Sequence, residues 1–256
     1  SYIAADGGDG DDSLEITVTG GLLNAHNLTN FERATLSAPS NTTLNITNLS
    51  GLRQILIDSA GEQGYVNFVD SLNPLADVTV NGGSFSFNGS TFRSVTGSNS
   101  SDYIDVSSAS IVSNDIALGG GDDTLNFWVS GTRAVGSVGG AVSGGTGTDT
   151  LQLSLPFDGQ SRSIDLARFT AIEKLFVNAS YVTQSAWTIN NAGADFTDIR
   201  VGSGTGLTLN ASTLPTANVD AVFNARLVIA ADSLVASIYS INARLFGSPL
   251  DTPQGD

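Results

Sequence analysis

Pairs of apolar residues separated by one position recur along the whole chain, and this alternation is the feature that most restricts the fold. The first members of successive pairs are Leu14, Ala34, Ile55, Val78, Ile104, Leu125, Leu151, Leu175, Ile199 and Leu227. Between them lies a second set of short runs that begin at Leu44, Val66, Phe85, Ile164, Ile189 and Leu207. Alternation with a period of two is typical of β-strands with one buried face. The sequence therefore predicts an all-β protein.

The spacing between these pairs favours a stacked architecture. Intervals of 20 to 28 residues suit a coil of two strands, and they predict a right-handed parallel β-solenoid, or β-roll, of about ten coils. Regular short strands also occur in antiparallel β-sandwiches, and spacing alone does not separate the two pairings. The solenoid is favoured because turns rich in glycine and aspartate fall at one phase of the period, just before the first strand of a coil.

The chain divides into two parts by composition. Residues 1–213 carry the repeated strands and form the predicted solenoid. Residues 214–256 are poorer in glycine at first and end in a polar tail. The glycine-poor stretch includes Ala217–Asn224 and Ala230–Ala236 and is able to form a short helix. Because the open last coil of a solenoid must be covered, the second part is predicted to be a capping or interface segment.

The turns follow a common pattern, G-G-x-G-x-D-x-apolar. Gly7–Leu14 and Gly144–Leu151 match it fully, and Leu118–Leu125 departs only at its first position. Gly97–Ile104 keeps the first glycine, the aspartate and the apolar residue. Glycine adopts positive φ without a Cβ clash, so such a turn can curl its carbonyls inward beside the aspartate carboxylate. Hard oxygen ligands in a tight turn favour Ca²⁺.

At these residues the chain resembles the RTX, or haemolysin-type calcium-binding, repeat proteins. The resemblance implies a parallel β-roll with Ca²⁺ bound by turn carbonyls and by the sixth-position aspartates Asp12, Asp123 and Asp149, with Asp102 as a weaker match. The chain departs from the family because its motifs are dispersed single copies. The candidate metal-binding residues are Gly7, Asp9, Asp11, Asp12, Asn99, Asp102, Gly119, Gly121, Asp122, Asp123, Gly145, Gly147 and Asp149.

The motif positions predict unequal sites. Asp102, Asp123 and Asp149 lead three consecutive coils, so their turns are expected to be neighbours that share ions. Asp12 precedes a coil that begins Glu32-Arg33 without a glycine turn, so its partners are expected among Asp6, Asp9 and Asp11 or in chain before Ser1. Another shape, a turn followed by glutamate or arginine and then a strand, is shared by Leu28–Arg33, Leu49–Arg53 and Arg168–Leu175. It resembles coils that accompany such turns in large bacterial surface proteins.

Charge and composition exclude several classes of protein. The chain has 25 acidic and 10 basic residues, and its net charge of −15 repels nucleic acid and anionic membranes but suits divalent cations. The absence of cysteine excludes disulfides and thiolate metal sites. We find no stretch of apolar residues long enough for a transmembrane segment and no signal peptide. The chain also lacks methionine, even at position 1, so we interpret it as a piece of a longer polypeptide.

The chain has few residues suited to catalysis. His26 is the single histidine, and no residue near it in sequence forms a base relay. A polysaccharide lyase of the β-helix type would need a basic residue such as Lys174 or Arg168, but pairing of these residues with Glu173 explains their positions equally well. The sequence therefore predicts that the chain is not an enzyme.

Three classes of function remain open: a structural subunit, an adhesin or carbohydrate-binding solenoid, and the less favoured lyase. The low catalytic content and dispersed motifs favour the structural role. The chain is most similar to calcium-dependent surface-layer proteins of Gram-negative bacteria, and this resemblance implies a secreted, cell-surface location and export by type I secretion. It also implies self-assembly into a homo-oligomer or two-dimensional lattice. A cell-surface polysaccharide is a second candidate partner.

Overall fold

The computed structural model shows an all-β protein. It describes residues 4–17, 21–38, 42–58, 64–107, 109–129, 138–155, 162–179, 186–190, 195–201, 206–211, 218–221, 226–231 and 241–242. All regular elements in these ranges are β-strands. A helix of the length and apolarity needed to cross a membrane does not occur in them.

The strands are short and follow one another closely. In chain order they are β1 (Ala5–Asp6), β2 (Ser13–Thr17), β3 (Gly21–Asn24), β4 (Leu28–Thr29), β5 (Arg33–Ser37), β6 (Thr43–Thr47), β7 (Gln54–Asp58), β8 (Tyr65–Val69), β9 (Leu72–Asn81), β10 (Gly83–Asn88), β11 (Thr91–Thr96), β12 (Asp102–Val106) and β13 (Ile111–Val112). They continue as β14 (Ile116–Gly120), β15 (Thr124–Trp128), β16 (Val142–Thr146), β17 (Thr150–Leu155), β18 (Arg162–Asp165), β19 (Phe169–Thr170), β20 (Lys174–Ala179), β21 (Ala186–Asn190), β22 (Asp198–Val201), β23 (Gly206–Ala211), β24 (Asn218–Ala221), β25 (Arg226–Ala231) and β26 (Ile241–Asn242).

Two long parallel sheets enclose the core. The front sheet has the order β3-β6-β8-β10-β12-β15-β17-β20-β22-β24-β26, and the back sheet has the order β2-β5-β7-β9-β11-β14-β16-β19. The chain alternates between the two sheets as it advances, which makes a parallel β-solenoid. Every pairing between described strands of the two sheets is parallel, for example β10 with β12 and β7 with β9. The prediction of a parallel solenoid is confirmed, and the antiparallel sandwich is wrong.

The coil count differs slightly from the ten expected, and the apolar pairs do not all belong to one sheet. Leu14, Ala34, Ile55 and Val78 lie side by side in the back sheet. The next predicted member, Ile104, instead pairs with Phe85 in the front sheet. The back sheet continues from Val78 to Val95, which the pattern had not singled out. Coils of unequal length therefore shift the phase of the repeat halfway along the chain.

The core lies between the inward faces of the two sheets. Alternating burial in strands such as β5, β7 and β12 places every second side chain inside, as the period of two requires. A cluster of phenylalanines fills the middle coils, where the ring centroids of Phe68 and Phe92 are 5.3 Å apart and those of Phe87 and Phe92 are 5.5 Å apart. Both pairs meet edge to face, an arrangement that adds about 1 kcal/mol to the burial of the rings.

The segment predicted as a cap continues the stacking. Within 214–256 the structure describes β24, β25 and β26, of which β24 extends the front sheet and β25 pairs with β23. The four strands β18, β21, β23 and β25 form a separate parallel sheet. Residues 218–221 of the candidate helix are a strand, and the polar tail from 247 lies outside the described residues.

Candidate metal sites in the glycine and aspartate turns

The glycine and aspartate turns lie at two different edges of the solenoid. Asp102, Asp123 and Asp149 stand where the chain passes from the back sheet into the front sheet, at or just before β12, β15 and β17. Asp12 instead precedes β2, which enters the back sheet. The prediction that all four turns share one phase is therefore wrong. We call the three neighbouring turns (97–102, 119–123 and 145–149) the aspartate edge.

Glycine is required at this edge by close stacking of consecutive turns. Gly119 and Gly145 have φ values of 104° and 102°. A Cβ on Gly145 would lie 1.9 Å from the carbonyl oxygen of Gly119, and one on Gly147 would lie 1.9 Å from that of Gly121. Real Cβ atoms do not approach oxygen this closely, so any side chain would force the turns apart. The glycines thus have a structural role that does not depend on a bound ion.

The aspartates of the edge form a column of carboxyl groups along the stacking axis. The Asp102 N–H donates to Oδ1 of Asp123 at 2.7 Å, and the Asp123 N–H donates to Oδ1 of Asp149 at 2.9 Å. The Asp149 N–H donates to Oε2 of Glu173 at 2.8 Å, which extends the column by one coil. Each of these carboxylates therefore receives a backbone hydrogen bond from the coil before it. We call Asp102, Asp123, Asp149 and Glu173 the carboxylate column.

One oxygen of each aspartate in the column is buried without a hydrogen-bond partner. These atoms are Oδ1 of Asp102, Oδ2 of Asp123 and Oδ2 of Asp149. The three residues are only 3%, 1% and 0% exposed. A buried polar atom without a partner costs about 1 to 3 kcal/mol, and more when it is charged. The ion pairs Asp11–Arg33 and Asp77–Arg93 do not involve the column.

Burial changes the acidity of the column. It raises the pKa of the Asp123 carboxyl to about 7, and the negative charges of Asp149, Asp102 and Asp122 act in the same direction. Burial likewise raises the pKa of Asp102, and it raises that of Asp149 with a further contribution from the charge of Glu173. The folded chain therefore favours a proton, or another positive charge, at these oxygens.

The N-terminal turn repeats the same arrangement at the other edge. The Asp12 N–H donates to Oε2 of Glu32 at 2.8 Å, and Oδ2 of Asp12 is buried without a partner. A Cβ on Gly7 would lie 2.1 Å from the carbonyl oxygen of Asn30, so this turn also stacks on the next coil. Asp12 thus finds its neighbour in the following coil and not among Asp6, Asp9 and Asp11, contrary to expectation.

The remaining predicted residues have other surroundings. Asp11 forms an ion pair with Arg33, and Asp9 is exposed. Asp122 is exposed as well, and its Oδ1 accepts the Thr148 N–H at 2.9 Å. Oδ1 of Asn99 would lie 3.4 Å from a Cβ on Gly120, which places it against the next turn. None of these four carries one of the unpartnered buried oxygens found in the described residues.

Sequence reasoning missed Glu32 and Glu173 as members of the columns. Each follows a residue with positive φ by two positions, namely Asn30 with φ 57° and Ala171 with φ 50°. Both glutamates belong to the shape shared by Leu28–Arg33, Leu49–Arg53 and Arg168–Leu175, which the sequence pattern does not connect with the glycine turns. The structure shows that Leu28–Arg33 and Arg168–Leu175 each stack directly after a full glycine and aspartate motif, with the glutamate in the place of the aspartate.

The carboxylate oxygens at the aspartate edge are suitable ligands for a hard cation, but side chains alone do not complete a metal site. Within the described ranges, no group of three or more His, Cys, Asp or Glu side chains is arranged to hold a metal ion. Ca²⁺ takes six to eight oxygens and accepts backbone carbonyls. The unpartnered aspartate oxygens fit Ca²⁺ in chemistry, and carbonyls of the turns would have to supply the other ligands.

Comparisons with known proteins do not assign the chain to a family. Neither a family model, nor a curated protein, nor a solved structure matches the chain.

Proposed function

We propose that this chain is a calcium-stabilised structural subunit of an extracellular assembly, of the surface-layer kind. The observation that supports the proposal is the carboxylate column, in which buried aspartate oxygens face no counter-charge. A protein that places such groups in register along its axis gains from a divalent cation, because the ion relieves repulsion and supplies the missing partner.

Asp123 and Asp149 would each use Oδ2 toward the ion, and Asp102 would use Oδ1. Asp12 would do the same in the N-terminal turn. The role of the ion in this proposal is structural, because it would join consecutive coils and rigidify the edge of the solenoid. The proposal assigns the chain no catalytic step.

Assembly is the second part of the proposal. A chain with a net charge of −15 must overcome self-repulsion before copies pack side by side. Ca²⁺ can bridge or neutralise carboxylates, whereas monovalent salt only screens them. The resemblance to surface-layer proteins supports a lattice of identical subunits outside the cell.

Thermal unfolding tests the calcium site. The protein is heated in EDTA, in millimolar Ca²⁺ and in NaCl of matched ionic strength, with Asp149→Ala as the site variant and the exposed Asp115→Ala as control. A single native-state site at a hundredfold excess over its Kd adds about 2.7 kcal/mol. We expect Ca²⁺ to raise the unfolding temperature of the wild type and of Asp115→Ala, and to raise that of Asp149→Ala less. Superimposable curves in EDTA and Ca²⁺ refute the site.

Light scattering of the same samples tests the assembly. We expect ordered homo-oligomers in Ca²⁺ that disperse when the ion is chelated. A chain that stays monomeric while it binds Ca²⁺ would retain the site but lose the structural role in a lattice.

A further inference from the structure

The outer face of the front sheet carries aromatic side chains in its middle coils. Tyr65 on β8 and Tyr103 on β12 are half-buried, and Trp128 at the end of β15 is 55% exposed. The corresponding outward row of the back sheet consists of Thr35, Leu56, Thr79, Thr96 and Ala117. The aromatic residues thus distinguish one face of the solenoid from the other. We call Tyr65, Tyr103 and Trp128 the aromatic platform.

A row of polar side chains runs along the same face. Neighbouring strands align Asn45, Asn67, Ser86, Asp105 and Asn126 in register. Asn67 donates to Oδ1 of Asn45 at 3.0 Å, and Asn126 donates to Oδ1 of Asp105 at 3.1 Å. The Ser86 hydroxyl donates to Oδ1 of Asn67 at 3.1 Å. We call these five residues the polar row.

The aromatic side chains lie close to this row. Tyr65 is near Ser86, Tyr103 is near Asn126, and Trp128 is near Asp105. Although Ser86 and Asn126 belong to outward-facing rows, they are only 8% and 2% exposed. Neighbouring side chains therefore shield both residues from solvent.

The charge of the face indicates the class of ligand. The polar row and the adjoining row Thr43, Tyr65, Ser84, Tyr103 and Thr124 contain a single carboxyl group, that of Asp105, in a chain of net charge −15. Amide, hydroxyl and indole groups exchange hydrogen bonds with sugar hydroxyls, and aromatic rings pack against the apolar faces of sugar rings. Because parallel strands repeat about every 4.8 Å, a polymer laid along the stacking axis meets similar groups at each coil.

We propose that the aromatic platform binds an extended, uncharged polysaccharide strand that lies along the stacking axis of the solenoid. Trp128 supplies the most exposed stacking surface on one side of the polar row, and Tyr65 and Tyr103 line the other side over the neighbouring coils. The polar row lies between the tyrosines and Trp128 and provides donors and acceptors there. This inference rests on the proposed extracellular role for the availability of such a polymer. Tyr103 directly follows Asp102 of the aspartate edge, whereas Trp128 lies at the far end of β15, five residues beyond Asp123.

Affinity electrophoresis tests the proposal, with Ca²⁺ present throughout and hydroxyethylcellulose, dextran or mannan cast into the gel. We expect at least one of these neutral polymers to retard the wild-type protein. Trp128→Ala and Tyr103→Ala should weaken the apparent affinity about tenfold or more. Leu75→Ala is the matched control, because Leu75 is an equally exposed apolar residue, 63% accessible, on the back sheet. It should leave retardation unchanged.

Tryptophan fluorescence gives a second measurement that does not depend on mobility. The chain has two tryptophans, and only Trp128 lies in the platform. The polymer that retards the protein should change the fluorescence of the wild type and of Leu75→Ala, but not that of Trp128→Ala. Circular dichroism of each variant confirms that its sheet content is retained.

Three results overturn the proposal: no polymer retards the wild type, all variants are retarded equally, or Trp128→Ala changes only the oligomeric state seen by light scattering. The last result would make the face a contact between copies. Failure of the polysaccharide proposal is distinguishable from failure of the calcium site, because retardation by a polymer and the difference between EDTA and Ca²⁺ melts are measured separately.

Discussion

Replacement of Asp123 by asparagine should change the stability of the protein in opposite directions with and without Ca²⁺. Asparagine keeps an oxygen that can accept the Asp102 N–H, but it removes a buried negative charge between two others. The pKa of Asp123 is about 7 in the folded chain against an ordinary 3.8. Because the folded chain binds this proton more tightly than the unfolded chain, stability falls as the pH rises from about 4 to about 7.

The size of the effect follows from the same values. The difference between 3.8 and about 7 corresponds to about 4 kcal/mol at alkaline pH. Two carboxylates about 5 Å apart repel each other by about 3 kcal/mol at an effective dielectric constant of 20, which is of the same order. Solvent at the edge of the turn screens part of this energy, so about 2 kcal/mol is the expected gain for Asp123→Asn in EDTA at pH 8.

In Ca²⁺ the sign should reverse, because the wild type gains about 2.7 kcal/mol per saturated site and the variant loses a charged ligand. At pH 5 in EDTA the variant should differ little from the wild type, whose Asp123 is then mostly protonated. Urea unfolding at pH 5 and pH 8, in EDTA and in Ca²⁺, measures all four differences.

Asp115→Asn is the matched control for this experiment. Oδ1 of Asp115 accepts the Ala141 N–H of the next coil at 2.7 Å, but the side chain is exposed. Its replacement should have a small effect of one sign under every condition. If Asp123→Asn destabilises the protein in EDTA at pH 8, the carboxylate column is not under electrostatic strain and the reasoning is refuted.

Two further variants test the turns and the front face. Gly145→Ala should destabilise the protein by about 3 kcal/mol or more, since its Cβ would meet the Gly119 oxygen at 1.9 Å. Gly8 has a φ of 90° and open space around it, so Gly8→Ala should cost only about 1 kcal/mol for its backbone conformation. Equal losses in urea unfolding would contradict the stacking argument. Burial raises the pKa of Asp105 to about 6. The fluorescence of Trp128 should therefore change with a midpoint near pH 6 in the wild type and not in Asp105→Asn. If the transition persists in the variant, it belongs to another group.

Much of the architecture could be predicted from local patterns in the sequence. Alternation of apolar residues at positions such as Ile55 and Ile57 requires strands with one buried face, and both side chains are buried. The need for glycine at Gly145 and Gly147 could be predicted from the sequence, because only glycine readily adopts positive φ and allows close backbone approach. The aspartates Asp102, Asp123 and Asp149 were correctly placed in neighbouring turns, because each leads a strand of the same period.

The tertiary structure decided which turns stack on which. Hydrogen-bonded partners in the columns are separated by 20, 21, 24 or 26 residues. Because the coils differ in length, a constant sequence interval does not predict which residues stack on each other. Pairing between strands sets that phase, and it places Asp12 at one edge and Asp123 at the other. It also brings Glu32 and Glu173 into the columns, although neither follows a glycine turn. Register is a property of neighbouring coils in space, and a sequence motif describes only one coil at a time.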